Sequence, residues 1–196
     1  MLDSLTQLTR QPEYLHTLLN PLPIYGLAVG LLGLVIAVFL RSRPAQIATL
    51  AIVLISASAA FPVYVLGEAA EDRMEGIVDD AGRDWLEEHE HRAERVIYVF
   101  YLVAALAAAA LFVPLRWAKF GTPLSLVVIL AGCVALAAGG YIAKAGGQIR
   151  HREFRTGGPP PGSGDAEARD HETGAEESAD DSGRGRGRGR RRGGDR

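Results

Sequence analysis

Residues 96–115 read VIYVFYLVAALAAAALFVPL, twenty consecutive positions without an Asp, Glu, Lys or Arg. A helix of about 20 apolar residues crosses a hydrocarbon core of about 30 Å. Three further stretches, 17–40, 44–67 and 120–143, each run 24 residues without those four residue types. All four are built mainly from Leu, Val, Ile, Ala and Gly, and none shows the period-two alternation of a membrane barrel strand. In lipid every backbone N–H must find a partner within its own segment, which makes helix the default. The reading is therefore an all-α fold, a four-helix transmembrane bundle with spans at about 22–41, 46–66, 95–116 and 123–143.

The rest of the 196-residue chain fits around these spans. Net charge is −2, but almost all charged residues lie in 68–95, in 144–196 and near the N-terminus. That segregation excludes an ordinary water-soluble domain, whose helices carry a polar face. A disulfide scaffold is excluded because Cys133 is the only cysteine. Residues 1–20 hold Asp3, Arg10, Glu13 and His16 and lack the basic-then-apolar order of a signal peptide, so the first span reads as an uncleaved anchor. Small residues recur on every span, and Gly26-x-x-x-Gly30 matches the pattern that lets helices approach closely in lipid. Packing inside the chain is the expected use of that face.

Four spans put both termini on the side of segment 68–95. The opposite side has two short connections, at 41–44 and 116–119, both basic and free of acids. By the positive-inside rule these favour the cytoplasm. The basic residues of the other side, Arg73, Arg83, Arg92, Arg95, Lys144, Arg150, Arg152 and Arg155, pull the other way. The expected location is a bacterial inner membrane, multi-pass, with both termini extracytoplasmic.

Segment 68–95 carries eleven acids. Its apolar residues Met74, Ile77, Val78, Ala81 and Trp85 have helical spacing, so the connector is expected to be helical, broken near 76–82. The stripe is expected either on the membrane surface or as a cap on the bundle. The candidate chemistry gathers at this end. Glu88-x-x-His91 and Glu13-x-x-His16 each place an oxygen and a nitrogen on one helix face. His16, Glu68, Glu71, Glu88, His89 and His91 are the candidate metal ligands. Bundle di-metal sites take Glu from two helices and Glu-x-x-His from two more; here the fourth helix offers no acid on that side, so the set is incomplete. A haem held by His16 with His89 or His91 is the alternative to a divalent metal. The plainer reading is a solvated, non-catalytic connector.

From about Ala145 the composition changes to a turn-rich linker, an acidic block at 165–181 and an Arg-Gly block at 183–196. With almost no apolar residue after Phe154, residues 145–196 are expected to be a disordered polyampholyte tail. Arg-Gly repeats can hold phosphate, but an extracytoplasmic tail argues against nucleic acid as a partner. The spans contain no ionisable residue in their cores, which a proton-coupled carrier would need. No phosphate loop, zinc set or nucleophile elbow is present.

Residues 15–24, LHTLLNPLPI, lead into an apolar span. This opening resembles that of bacterial four-helix membrane proteins of the "domain of unknown function 2231" type. Those proteins open with a His-Pro step and then His-Phe-Pro before the first helix. His16 matches the first histidine and Pro23 the proline before the apolar run, whereas Thr17 stands for the first proline and Pro21 falls near the second histidine. Gly67, Glu68 and Glu71 at the end of the second span, and His89 or His91 before the third, are similar too. The likeness covers about residues 14–140 and implies architecture and membrane location; the family carries no settled activity.

The function expected from all this is a non-catalytic structural or interaction module of the cell membrane, with two alternatives. One is a metal- or haem-binding, redox-linked module. The other is an accessory subunit of a transporter. The expected partners are the lipid bilayer and a membrane protein or a second copy of the chain.

Overall fold

A computed structural model describes residues 10–155 and 157. Four helical spans make up the body: Pro12–Phe39, Arg43–Glu68, Asp80–Arg116 and Ala118–Arg150. Among the described residues there is no strand. Each span packs on its neighbour in the chain, and the first also packs on the fourth, which closes the bundle. The chain is all-α, a four-helix bundle, as its apolar runs require.

The main core is a column of side chains that includes Leu27, Leu31, Leu34, Leu50, Val53, Phe100, Val103 and Val128. Yet only 22–33% of the residues in the most apolar stretch of each span are buried. Phe39 is 83% exposed, Leu115 79% and Leu130 70%. Such a surface would be expelled from water; around helices long enough to cross a bilayer it is what lipid requires. The protein is a multi-pass membrane protein.

Close approach is purchased with small residues. A Cβ at Gly26 would lie 2.5 Å from Ser56 Oγ, one at Gly30 2.9 Å from Val53 Cγ2, and one at Gly33 2.8 Å from Thr49 Cγ2. The glycine face of the first span is thus used inside the chain, against the second span.

Proline and capping set the local breaks. The second span divides into Arg43–Ser58 and Ala60–Glu68, because Pro62 has no N–H to give the Ser58 carbonyl. The first span ends in a tight cap: Arg41 N–H donates to Val38 O at 3.0 Å and Ser42 N–H to Ala37 O at 3.1 Å. Arg41 has φ +51°, the left-handed position usually held by glycine. Asp79 caps the third span, accepting from Gly82 N–H at 3.0 Å.

The connector is helical and breaks within the expected stretch. A short helix at Glu71–Glu75 precedes the break, and the 37-residue helix Asp80–Arg116 begins well before the apolar run. At about 1.5 Å per residue it measures about 55 Å, so its first turns stand clear of the hydrocarbon. The stripe caps the bundle's fourth span: Met74, Val78 and Trp85 pack with Ala145 and Ile149. That packing also corrects the start of the tail. Helix continues to Arg150, because Ala145 and Ile149 have Trp85 to bury against, which composition alone could not reveal. The remainder of the expected disordered tail, 158–196, lies outside the described residues.

Candidate functional site at the connector end

Two histidines lie in the opening turns of the first and third spans, and each packs on a glycine of the following span. His16 Nδ1 donates to Val63 O at 2.8 Å. A Cβ at Gly67, one turn further along, would stand 3.1 Å from the His16 ring. His89 Nδ1 donates to Ile142 O at 3.1 Å. A Cβ at Gly146, again one turn further along, would stand 3.0 Å from the His89 ring. The arrangement is thus repeated in the two hairpins of the bundle: imidazole, carbonyl, and a glycine four residues beyond it. A carbonyl oxygen only accepts, so Nδ1 carries a proton in both rings and Nε2 is the nitrogen left without a bond to the carbonyl.

The other candidates are placed as follows. Glu88 accepts from Arg92 Nε at 2.7 Å. Arg92, itself buried, also donates to Tyr141 O at 2.9 Å and lies 4.1 Å from the centre of the Tyr141 ring. Glu88 is therefore a neutralised partner in a bond between the third and fourth spans. His91 is half exposed and stands 3.9 Å from Glu94, on a different face of the helix from His89. Glu71 faces Glu90, with Glu68 and Glu94 in the same electrostatic neighbourhood. Tyr64 lies beside Glu68. His16 and His89 lie in the same electrostatic neighbourhood.

Among the described residues no group of three or more His, Cys, Asp and Glu side chains is arranged to hold a metal ion. The structure brings the candidates to one end of the bundle but does not join His16, Glu68, Glu71, Glu88, His89 and His91 in one ligand set. What the end does have is a series of bonds between elements. Arg73 pairs with Glu13, joining the connector to the first span. Asp79 takes Arg155 through two bonds, at 2.9 and 3.0 Å, and Arg152 at 2.9 Å. The Arg155 guanidinium hydrogen-bonded to Asp79 holds that carboxyl well below its ordinary range, at about 2.

Arg92, Arg73 and Arg155 were not among the residues the sequence singled out. Glu88-x-x-x-Arg92 has the i, i+4 spacing that could have flagged one of them. The partners of the other two lie 60 and 76 residues away, and no local pattern marks them.

No known protein family, curated protein or solved structure matches this chain. The bonds at this end must carry the functional argument alone.

Proposed function

We propose that the chain is a multi-pass component of a bacterial inner membrane that acts as a structural or interaction module, with no reaction of its own. In this reading the short basic loops face the cytoplasm, and both termini and the acidic connector face outward. Likeness to the domain of unknown function 2231 type belongs to the same proposal and contributes architecture only. The observation that carries it is how the polar groups at the connector end are spent. His16, His89 and Asp79 each bond another element of the same chain, and Glu88 neutralises Arg92, which donates to Tyr141 O of the fourth span, so their evident work is to hold the spans in register.

One observation favours a second reading, a redox-linked module with bound metal or haem. Histidine ligands generally give their other ring nitrogen to a carbonyl or carboxylate, which fixes the ring and its tautomer. His16 and His89 do so twice over, and their Nε2 atoms would be the ligating ones.

Metal content and the visible spectrum of the detergent-purified full chain separate the two. They should be recorded beside a His16→Ala/His89→Ala double variant. The first reading predicts a colourless, metal-free protein whose double variant folds but loses about 1 kcal/mol for each missing bond. Stoichiometric metal or a haem band, lost in the variant, would overturn it in favour of the second.

A further inference from the structure

The opposite end of the bundle is built differently. Its four cations are Arg41, Arg43, Arg116 and Lys119, and the spans that meet there contain no acid between positions 17 and 67 or 96 and 143. Among the described residues none of these four cations is within 4.0 Å of a carboxylate. A cavity of about 600 Å³ opens at this end, with Arg41, Arg43, Gln46 and Thr122 as its polar wall and Val38 and Phe39 as its apolar one.

The cavity holds a positioned guanidinium. Arg43 donates to Ala110 O at 2.9 Å and to Gln46 Oε1 at 3.3 Å. Gln46 is itself buried and lies 3.5 Å from the fully buried Ser125 hydroxyl. Gly121 leaves room for the guanidinium, whose Cζ would stand 3.4 Å from a Cβ there. These contacts fix Arg43 without neutralising it. Two spans begin here and two end here, so the helix dipoles oppose one another and the positive charge of this end is that of its side chains.

Arg41 adds a different kind of observation. Its left-handed backbone, φ +51°, costs a residue with a side chain about 1–2 kcal/mol that glycine would avoid. The cap would form better with glycine, yet the position holds a cation at the rim of the cavity. Strain kept at a charged position beside an open cavity points to a ligand of opposite charge.

We propose that this cavity binds the phosphate headgroup of an anionic phospholipid, with an acyl chain lying along Val38 and Phe39. The charge selects a phosphodiester headgroup whose net charge is negative. The place selects a lipid: the cavity sits where apolar spans give way to a basic loop, and Phe39 is 83% exposed beside it. Basic recesses between spans are suited to such headgroups, and each Lys or Arg near the surface is worth about 1 kcal/mol, or about fivefold in binding. The inference does not depend on the function proposed above.

The test uses the purified full chain with phosphatidylglycerol, with phosphatidylcholine as the neutral control and with inorganic phosphate alone. Retained lipid is counted by native mass spectrometry, and thermal midpoints are followed alongside. The proposal expects retention and stabilisation by phosphatidylglycerol but not by phosphatidylcholine. Arg41→Gly should weaken retention about fivefold while leaving the lipid-free midpoint equal or higher, because the cap is relieved. Arg43→Gln should weaken retention as well. Equal retention of the two lipids, or undiminished phosphatidylglycerol retention in Arg41→Gly, would overturn the proposal. So would equal stabilisation by inorganic phosphate, which would assign the cavity to a soluble anion instead.

Discussion

At the residue scale, the glycines show how closely the spans are set. A Cβ at Gly30 would meet Val53 Cγ2 at 2.9 Å and the Val53 backbone nitrogen at 3.2 Å. Backbone cannot yield as a side-chain tip can, so Gly30→Val should push the first two spans apart and cost about 1–3 kcal/mol. Gly140 has nothing within 4 Å of its would-be Cβ. Gly140→Ala should therefore cost nothing and gain up to about 1 kcal/mol from helix propensity. Thermal or denaturant unfolding in one detergent compares the two, and equal losses would refute this assignment of the interface. Both glycines were visible in the sequence as small residues on a span, but nothing local distinguishes the packed one from the open one. The same limit applies to the histidines. His16 and His89 are candidate ligands by residue type and position alone. Their carbonyl partners lie 47 and 53 residues away, and only the packed bundle supplies them.

At the element scale, the connector shows what pattern can and cannot supply. Helical spacing of Met74, Val78 and Trp85 revealed an apolar stripe, and the glycines at 76 and 82 marked the region of the break. The stripe's partner was hidden, because Ala145 and Ile149 sit just where composition turns toward the tail. Asp79 then locks the arrangement, capping the third span while holding Arg152 and Arg155. Its carboxyl is held down to about 2 by the Arg155 bond. A carboxyl depressed on folding stabilises the fold above its ordinary range near 4, and the contribution fades as pH falls from about 4 to about 2. Residues 151–155 should therefore become accessible to hydrogen exchange across that window, while exchange within the apolar spans stays slow. Asp79→Asn keeps a good cap but not the charge. It should show the open segment already at pH 7, with the start of the third span intact. Unchanged protection of 151–155 in that variant would show that the ion pairs do not hold the segment.

At the scale of the whole molecule, the segregation of charge decides the architecture. Four stretches without charge, separated by two short basic turns and one acidic connector, leave few ways to satisfy backbone and side chains at once. That much was legible in the sequence, and so was the all-α class. The exact reach of the helices was not, because hydrogen bonding continues past the lipid-facing run, as it does at Asp80–Arg95 and at 144–150. The two ends of the bundle have diverged in chemistry. One is acidic and bonded to itself; the other is basic and, among the described residues, without a carboxylate partner. Their separation depends on the chain crossing the bilayer four times.

That crossing is tested most directly by cysteine accessibility in a Cys133→Ala background, in sealed vesicles of known orientation. Single cysteines are placed at Glu75 in the connector, at Gly157 after the fourth span, and at Ser42 and Ala118 in the short turns. The account predicts that a membrane-impermeant thiol reagent reaches Glu75→Cys and Gly157→Cys from one side, and Ser42→Cys and Ala118→Cys from the other. Labelling of Ser42→Cys and Glu75→Cys from the same side would contradict it.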